Sequence, residues 1–376
     1  MNFKNTITYV SLDSIREGVG ASQVLSYVEK LSKEFTMNLI SFEKIEPTLE
    51  QIERLEKQGI KWSPIAFGRY GTLGGMQRFL KLIQILPRKQ VIHARSDLAA
   101  FASLIVNRRG VIWDCRALLA DQRRAILGWS TFSIKFIIMR LIERYVAKNS
   151  SRIITITENV IPVLVKRYRL KREKMVHITT CVDQSRFKPT QILGKQVVAL
   201  ISGTVSDAYD IDLMNLIITE LRRRCDLRVV VSLGQGHGEA WTRISFDEVI
   251  RKSYYEMPNV IASSSFGFSI WKKNLGVALS SVASTKCAEF LACGRPIIVN
   301  QNQGDIGRIV VQENVGVATY GDTQVEVDSY AKQILELTSD SSIESRCSLV
   351  AKSYFDLDKA VKDLTKLYQE LERQNV

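Results

Sequence analysis

Residues 284–296 read Ser-Thr-Lys-Cys-Ala-Glu-Phe-Leu-Ala-Cys-Gly-Arg-Pro and lead straight into the apolar run 297–299. That order predicts a helix closed by Gly294 and turned by Pro296, followed by a buried strand. Lys286 and Glu289 stand three residues apart, so a helix carries both side chains on one face. Such a pair has two readings. It can be a solvated ion pair on an amphipathic helix, the common fate of surface charges. It can also be a recognition pair, with the ammonium meeting a phosphate and the carboxylate accepting two hydrogen bonds from a ribose diol.

Working outward, strands and helices alternate along the whole chain. Apolar runs fall at 7–12, 37–42, 91–94, 111–115, 153–156 and 176–178, with helical patterns over 23–35, 48–58, 75–86 and 133–148. The later runs fall at 197–202, 227–233, 260–262, 267–270, 297–299 and 316–319. Strands separated by helix-length segments predict an α/β fold of parallel sheets built from right-handed βαβ units. Two such sets predict two Rossmann-like domains, over 1–188 and 189–356. The linker is expected within 183–195, which contains Pro189 and Gly194, and a last amphipathic helix over 357–376 is expected to complete the first domain.

At 376 residues, 45% hydrophobic and 24% charged, the chain has the makings of two globular cores. No apolar run reaches the roughly 18 residues a membrane span requires, and the opening residues hold no leader-like apolar stretch. A cytoplasmic location, or the inner face of a membrane, is the expectation. The six cysteines (115, 181, 225, 287, 293 and 347) form no C-x-x-C pair, and His177 near Cys181 has no further ligand close by. Reduced thiols are expected, with neither a zinc site nor a disulfide framework.

The net charge of +13 is unevenly placed. Residues 1–190 carry 32 Lys+Arg against 16 Asp+Glu, whereas 191–376 carry 20 against 23. The excess gathers at Arg108-Arg109, Arg123-Arg124 and the segment 166–174. An anionic partner follows for the first half: a membrane surface, a phosphorylated carrier or nucleic acid. A generally basic proteome is the bland alternative. Nucleic acid is not expected, because no RNP-like motif, zinc finger or helix-turn-helix pattern is present.

In open parallel sheets ligands bind beyond the carboxyl ends of the strands, so the residues following each run are the candidates. The first run is followed by a loop with Gly18 and Gly20 and then a helix start whose amides can hold an anion. Gly18-Val19-Gly20 with Glu43 could be part of a dinucleotide fingerprint, but Gln23 holds the third glycine position. His93 and Arg95 end the third run; the imidazole can donate to a sugar hydroxyl or phosphate, or can simply bond to nearby groups. Asp114 and Arg116 alternate at the end of the fourth, as a functional pair or a local salt bridge. In the second half the candidates are Gly203-Thr204, the Gly234–Gly238 loop, and the loop 303–307 with Gly304 and Asp305, whose amides could cradle a diphosphate.

Taken in order, these positions resemble the retaining family 4 glycosyltransferases of GT-B architecture, over nearly the whole chain. The elements that carry the resemblance are the Gly18–Gly20 loop, His93-Ala-Arg95-Ser96, Asp114-Cys-Arg116, Thr155-Ile-Thr157-Glu158, Cys181-Val-Asp183-Gln-Ser-Arg186-Phe187, Ser202-Gly203-Thr204 and, most specifically, 284–296. The resemblance implies two parallel-sheet domains facing across a cleft, the first for an acceptor and the second for a nucleotide-diphosphate-sugar donor. It implies that Glu289 binds the ribose, that Lys286 with Ser284 and Thr285 lies at the diphosphate, and that Gly18 and Gly20 let donor and acceptor come close to the first-domain backbone; Gly203, Thr204, Gly304 and Asp305 are read with them as donor-side positions. His93 would contact the transferred sugar as a catalytic residue beside Glu289, with Arg95, Asp114 and Arg116 on the acceptor side. No bound metal or other cofactor is implied, because helix dipoles and cations carry the phosphate charge. Asp210-Ile-Asp212 and Asp356-Leu-Asp358 read instead as helix-start carboxylates. The sequence departs from the family where Ser281 replaces the first carboxylate of an E-x7-E pair. It departs again after Gly203, where Ser206, Asp207 and Tyr209 stand in place of an Arg and a Lys. Lys286 is then one phosphate-binding cation, and no second is identified.

Sugar transfer to a glycan, lipid-linked or other cell-surface precursor is thus the leading expectation. A nucleotide-sugar epimerase or phosphorylase of the same architecture is the alternative from another enzyme class. A non-catalytic binder of anionic polymers is the third.

Overall fold

The computed structural model describes residues 5–16, 18–190, 196–234 and 239–375. They form two compact units. The first gathers the described residues up to Arg124, then Gly128–Ile178 and the final helix from Asp358; the second holds Ala125–Leu127 and Thr179–Leu357. The chain passes from one to the other at Ile178–Thr179, ahead of the 183–195 segment. The reason is local. The Val182 amide donates to the Phe355 carbonyl at 2.9 Å, and Phe187 is buried in the apolar core of the second unit.

The first unit is a seven-stranded sheet of β1 (Thr6–Ser11), β2 (Thr36–Glu43), β3 (Ile60–Ala66), β4 (Val91–Arg95), β5 (Val111–Cys115), β6 (Arg152–Thr155) and β7 (Met175–His177). Their spatial order is 3-2-1-4-5-6-7, and every pairing is parallel. The sequence reading omits β3, whose Pro64 argues against a strand. At the sheet edge the missing N–H costs nothing.

The second unit is a six-stranded parallel sheet of β8 (Val197–Ser202), β9 (Leu227–Leu233), β10 (Glu248–Arg251), β11 (Phe266–Ser269), β12 (Ile297–Asn300) and β13 (Gly316–Thr319), in the order 10-9-8-11-12-13. The run 260–262, expected as a strand, ends the helix Met257–Ala262, which carries Pro258 in its first turn. Three apolar residues carry no period that separates the two states. The edge strand β10 is also absent from the sequence reading, since Glu248–Arg251 has only two apolar residues.

Each sheet reverses its winding direction once, between β1 and β4 and between β8 and β11. Such switch points are where loops part and a ligand can reach the strand ends. The helix Thr285–Ala292 is seated on the second of them. A Cβ on Gly267 of β11 would stand 2.5 Å from the Phe290 ring, so this glycine lets the helix lie directly on the strand. Cys287, Ala288, Phe290 and Leu291 are buried against the sheet.

Candidate active site

At the second switch point, Lys286 is only 9% exposed. Its Nζ donates to the Tyr209 hydroxyl at 2.6 Å and lies 4.6 Å from the centre of that ring. Tyr209 is stacked on Trp271 with ring centres 4.5 Å apart. On the other side lies Gly203, with φ +86°, where a Cβ would come within 2.8 Å of Lys286 Cε. Among the described residues no carboxylate lies within ion-pair distance of Lys286. An ammonium has three donors, and the single bond to a neutral hydroxyl leaves charge and donors to spare in a desolvated place. Such a place can take an anion.

Glu289 sits one turn further along. Among the described residues no hydrogen bond or ion pair reaches its half-buried carboxylate. Desolvation pushes its pKa up to about 7, and Lys286 and Arg186 only partly offset this. Arg186, which the sequence reading does not single out, is a second cation close enough to act on the Glu289 carboxyl. Its guanidinium lies 4.3 Å from the Tyr254 ring centre and 5.0 Å from that of Tyr255. Arg186 belongs to the 181–187 motif, but only the fold brings that segment to the helix of Glu289. The aromatic support from Tyr209 and Trp271 is likewise tertiary, because the two lie 62 positions apart.

The other second-unit candidates fare differently. Ser284 precedes the helix without capping it through its side chain, Thr285 begins it, and Thr204 is exposed beyond β8. Ser281 donates its hydroxyl to the Ala278 carbonyl at 2.8 Å and is buried. In the expected diphosphate cradle at 303–307, two of the backbone amides are already engaged. The Gly304 amide donates to the Leu279 carbonyl and the Gly307 amide to Gln303, so neither is offered to a ligand. Asp305 is a buried residue at the start of the helix Ile306–Gln312. Asp210 caps the helix Ile211–Arg224 by accepting from the Leu213 amide, and Asp358 pairs with Lys30 at 2.7 Å. Gly234 ends the described part of its loop, and 235–238 lie outside the described residues.

In the first unit the expected catalytic role of His93 meets a contrary geometry. The ring is 2% exposed and stacked on Tyr9. Nδ1 lies 2.6 Å from the Tyr368 hydroxyl and Nε2 3.3 Å from Asp114 Oδ2. A carboxylate only accepts, so Nε2 donates to Asp114 and Nδ1 accepts from Tyr368. Neither nitrogen is left for a sugar; His93 is a core histidine. Burial would raise the Asp114 pKa, but Arg116, His93 and Arg95 outweigh it and hold the carboxyl at about 2. Arg116 lies 3.4 Å from Asp114, and Arg95 pairs with Asp13 in the loop after β1. These acceptor-side candidates thus form one charged cluster at the first switch point.

The glycine loop is held by Glu43, which accepts from Ser14, Ser41 and the Ile15 amide. That settles Glu43 as an anchor. A Cβ on Gly20 would stand 1.7 Å from the Ser14 carbonyl oxygen, so Gly20 is needed for close packing of the loop on its own helix. Gly18 has φ +52° and open space around it. The helix then takes a π turn over Ala21–Leu25, a local widening that is frequent at functional sites.

No family model matches the sequence, and no curated protein matches it. Solved structures do. A sucrose-phosphate synthase from Thermosynechococcus elongatus superimposes with a TM-score of 0.71 at 11% identity, covering 98% of this chain and 99% of that one. Anabaena HepE, solved in complex with UDP and glucose, gives 0.69 at 14%, covering 96% and 99%. A putative UDP-N-acetylglucosamine 2-epimerase from Listeria monocytogenes gives 0.65 at 11%, covering 98% and 97%. At these identities the likeness is one of fold. The fold is GT-B, with two Rossmann-like units of parallel sheet.

Proposed function

We propose that the protein is a retaining glycosyltransferase of the family 4 type, which takes a sugar from a nucleotide-diphosphate donor held by its second unit. The observation that carries this reading is the unpartnered Glu289 carboxylate one helical turn from the desolvated Lys286. Glu289 accepts the two ribose hydroxyls. Lys286 faces the diphosphate across Gly203, and Arg186 adds a second positive charge. The anomeric carbon–oxygen bond to the diphosphate breaks, a bond to the acceptor oxygen forms, and the acceptor proton leaves with the diphosphate. Fixed positive charge stabilises the departing group, so neither a metal ion nor a side-chain base is needed. The charged cluster of Arg95, Asp114 and Arg116 belongs to the acceptor side, and the basic first half suits an anionic acceptor or the inner face of a membrane.

A thermal-shift panel of UDP, GDP, ADP and their sugars tests the donor site, with UDP first because HepE binds it. At least one nucleotide should raise the melting temperature, and Glu289→Ala should abolish that rise. An undiminished shift in the variant would defeat the proposal. GT-B folds include an epimerase, and the two activities separate cleanly. A transferase releases nucleotide diphosphate when acceptor is added, whereas an epimerase converts donor without one.

A further inference from the structure

The helix Ile134–Asn149 is apolar on two faces. Inward, Val146 and Ala147 join the core beneath the sheet of the first unit. Outward, Ile134, Ile137, Ile138, Leu141 and Tyr145 are all exposed, Ile134 by 74% and Leu141 by 58%. Their spacing of three, four, seven and eleven residues makes a single stripe along the helix. Phe132, just before it, is 86% exposed.

The stripe does not end with the helix. The helices Gly71–Ile85 and Asp97–Val106 pack on the same core cluster. Ring contacts from Phe79 to Phe101 and from Phe101 to Tyr145 tie the three side by side. The first of them exposes Leu73, Met76 and Leu80 at its own helical spacing. An apolar surface of this extent on a folded protein marks an interaction site.

Charge identifies the occupant. Between Phe67 and Thr157 the only acidic residues are Asp97, Asp114, Asp121 and Glu143, and all four are buried. Arg69, Lys81, Arg108, Arg123, Lys135 and Arg144 are exposed over the same stretch. At the carboxyl end of the Ile134–Asn149 helix, a cavity of about 690 Å³ is lined by Lys148, Arg152, Arg169, Lys171, Glu173 and Lys174. A second copy of this chain would set these cations against their like, which is unfavourable. A bilayer with anionic headgroups takes both features at once, apolar side chains below the headgroups and cations among them. Among the described residues no helix is long and apolar enough to cross a membrane, so the contact is a surface one.

We propose that the outward faces of the helices Gly71–Ile85 and Ile134–Asn149 form a bilayer-docking surface that inserts apolar side chains into an anionic leaflet. This deepens the reading of the basic first half and is independent of the donor site.

Co-sedimentation of the full chain with phosphatidylcholine vesicles, with and without phosphatidylglycerol, tests it. Binding should require phosphatidylglycerol and weaken with salt. Ile134→Ser/Ile138→Ser/Leu141→Ser should lose at least tenfold in vesicle affinity while keeping the wild-type melting temperature and nucleotide shift. A Phe132→Trp variant should be quenched by lipids brominated in their acyl chains. Four results would overturn the proposal: no binding to anionic vesicles, unchanged binding by the triple variant, no quenching, or a wild-type dimer that the triple variant dissolves. A failed nucleotide shift, by contrast, would count against the donor site alone.

Discussion

Lys286 and Glu289 were visible as a pair in the sequence, and what their burial does to them was not. An exposed i,i+3 pair is worth little and titrates normally. Here desolvation holds the Glu289 pKa near 7, and a diol is gripped by the ionised form. Nucleotide affinity should therefore rise with pH through about 7, where the carboxyl loses its proton, and level off above. Glu289→Gln should flatten the profile as well as lower affinity, read by calorimetry at a series of pH values. Lys286 makes a second, separable prediction. Lys286→Met should weaken a nucleoside diphosphate by roughly tenfold or more, the scale of a charge-assisted bond to phosphate. The nucleoside alone should bind the variant and wild type alike, so a loss common to both ligands would assign Lys286 to structure. His93 shows the opposite outcome. Its place at a strand end read as functional, yet both nitrogens are consumed by Tyr368 and Asp114.

At the scale of elements, the regular strands were legible because buried parallel strands are short, continuous apolar runs. Of the four edge strands two were not, β3 because Pro64 interrupts it and β10 because it has only two apolar residues, and an edge tolerates both. Carboxylates tie the helices of the first unit together in a way no sequence pattern showed. Glu143 accepts from Arg140 at 2.9 Å, from Arg167 at 3.2 Å and from Tyr168 at 2.6 Å, and Asp121 accepts from both arginines. This buried network joins the helices Leu119–Leu127, Ile134–Asn149 and Ile161–Tyr168. Removing one partner leaves uncompensated charge, which typically costs about 3–5 kcal/mol. Glu143→Ala should lower stability by that order in chemical denaturation. Glu143→Gln, which keeps part of the hydrogen bonding, should cost less. The same network turns Asp121 and Glu143 inward and so leaves the outer surface of these helices without acid.

At the scale of the whole molecule, the final helix from Asp358 belongs to the first unit although the second unit precedes it in the chain. Tyr368 on that helix donates to His93 on β4, 275 positions away. Tyr368→Phe leaves a buried ring nitrogen without its donor, at an expected cost of about 1–3 kcal/mol. Chemical unfolding should record that loss while the nucleotide thermal shift stays intact, because Lys286, Glu289 and Arg186 all lie in the second unit. The alternation of apolar runs and helical patterns determined the two-sheet α/β fold unaided, since strand and helix periods are local properties. It also determined the Lys286–Glu289 pair, since three residues on a helix fix their spacing. Only the tertiary structure decided that Arg186, Tyr209 and Trp271 join that pair, that His93 is spent in the core, and that the basic half carries its cations around an apolar face. Each of these depends on which distant segments meet and which side chains lose their water, and desolvation is a property of the folded whole.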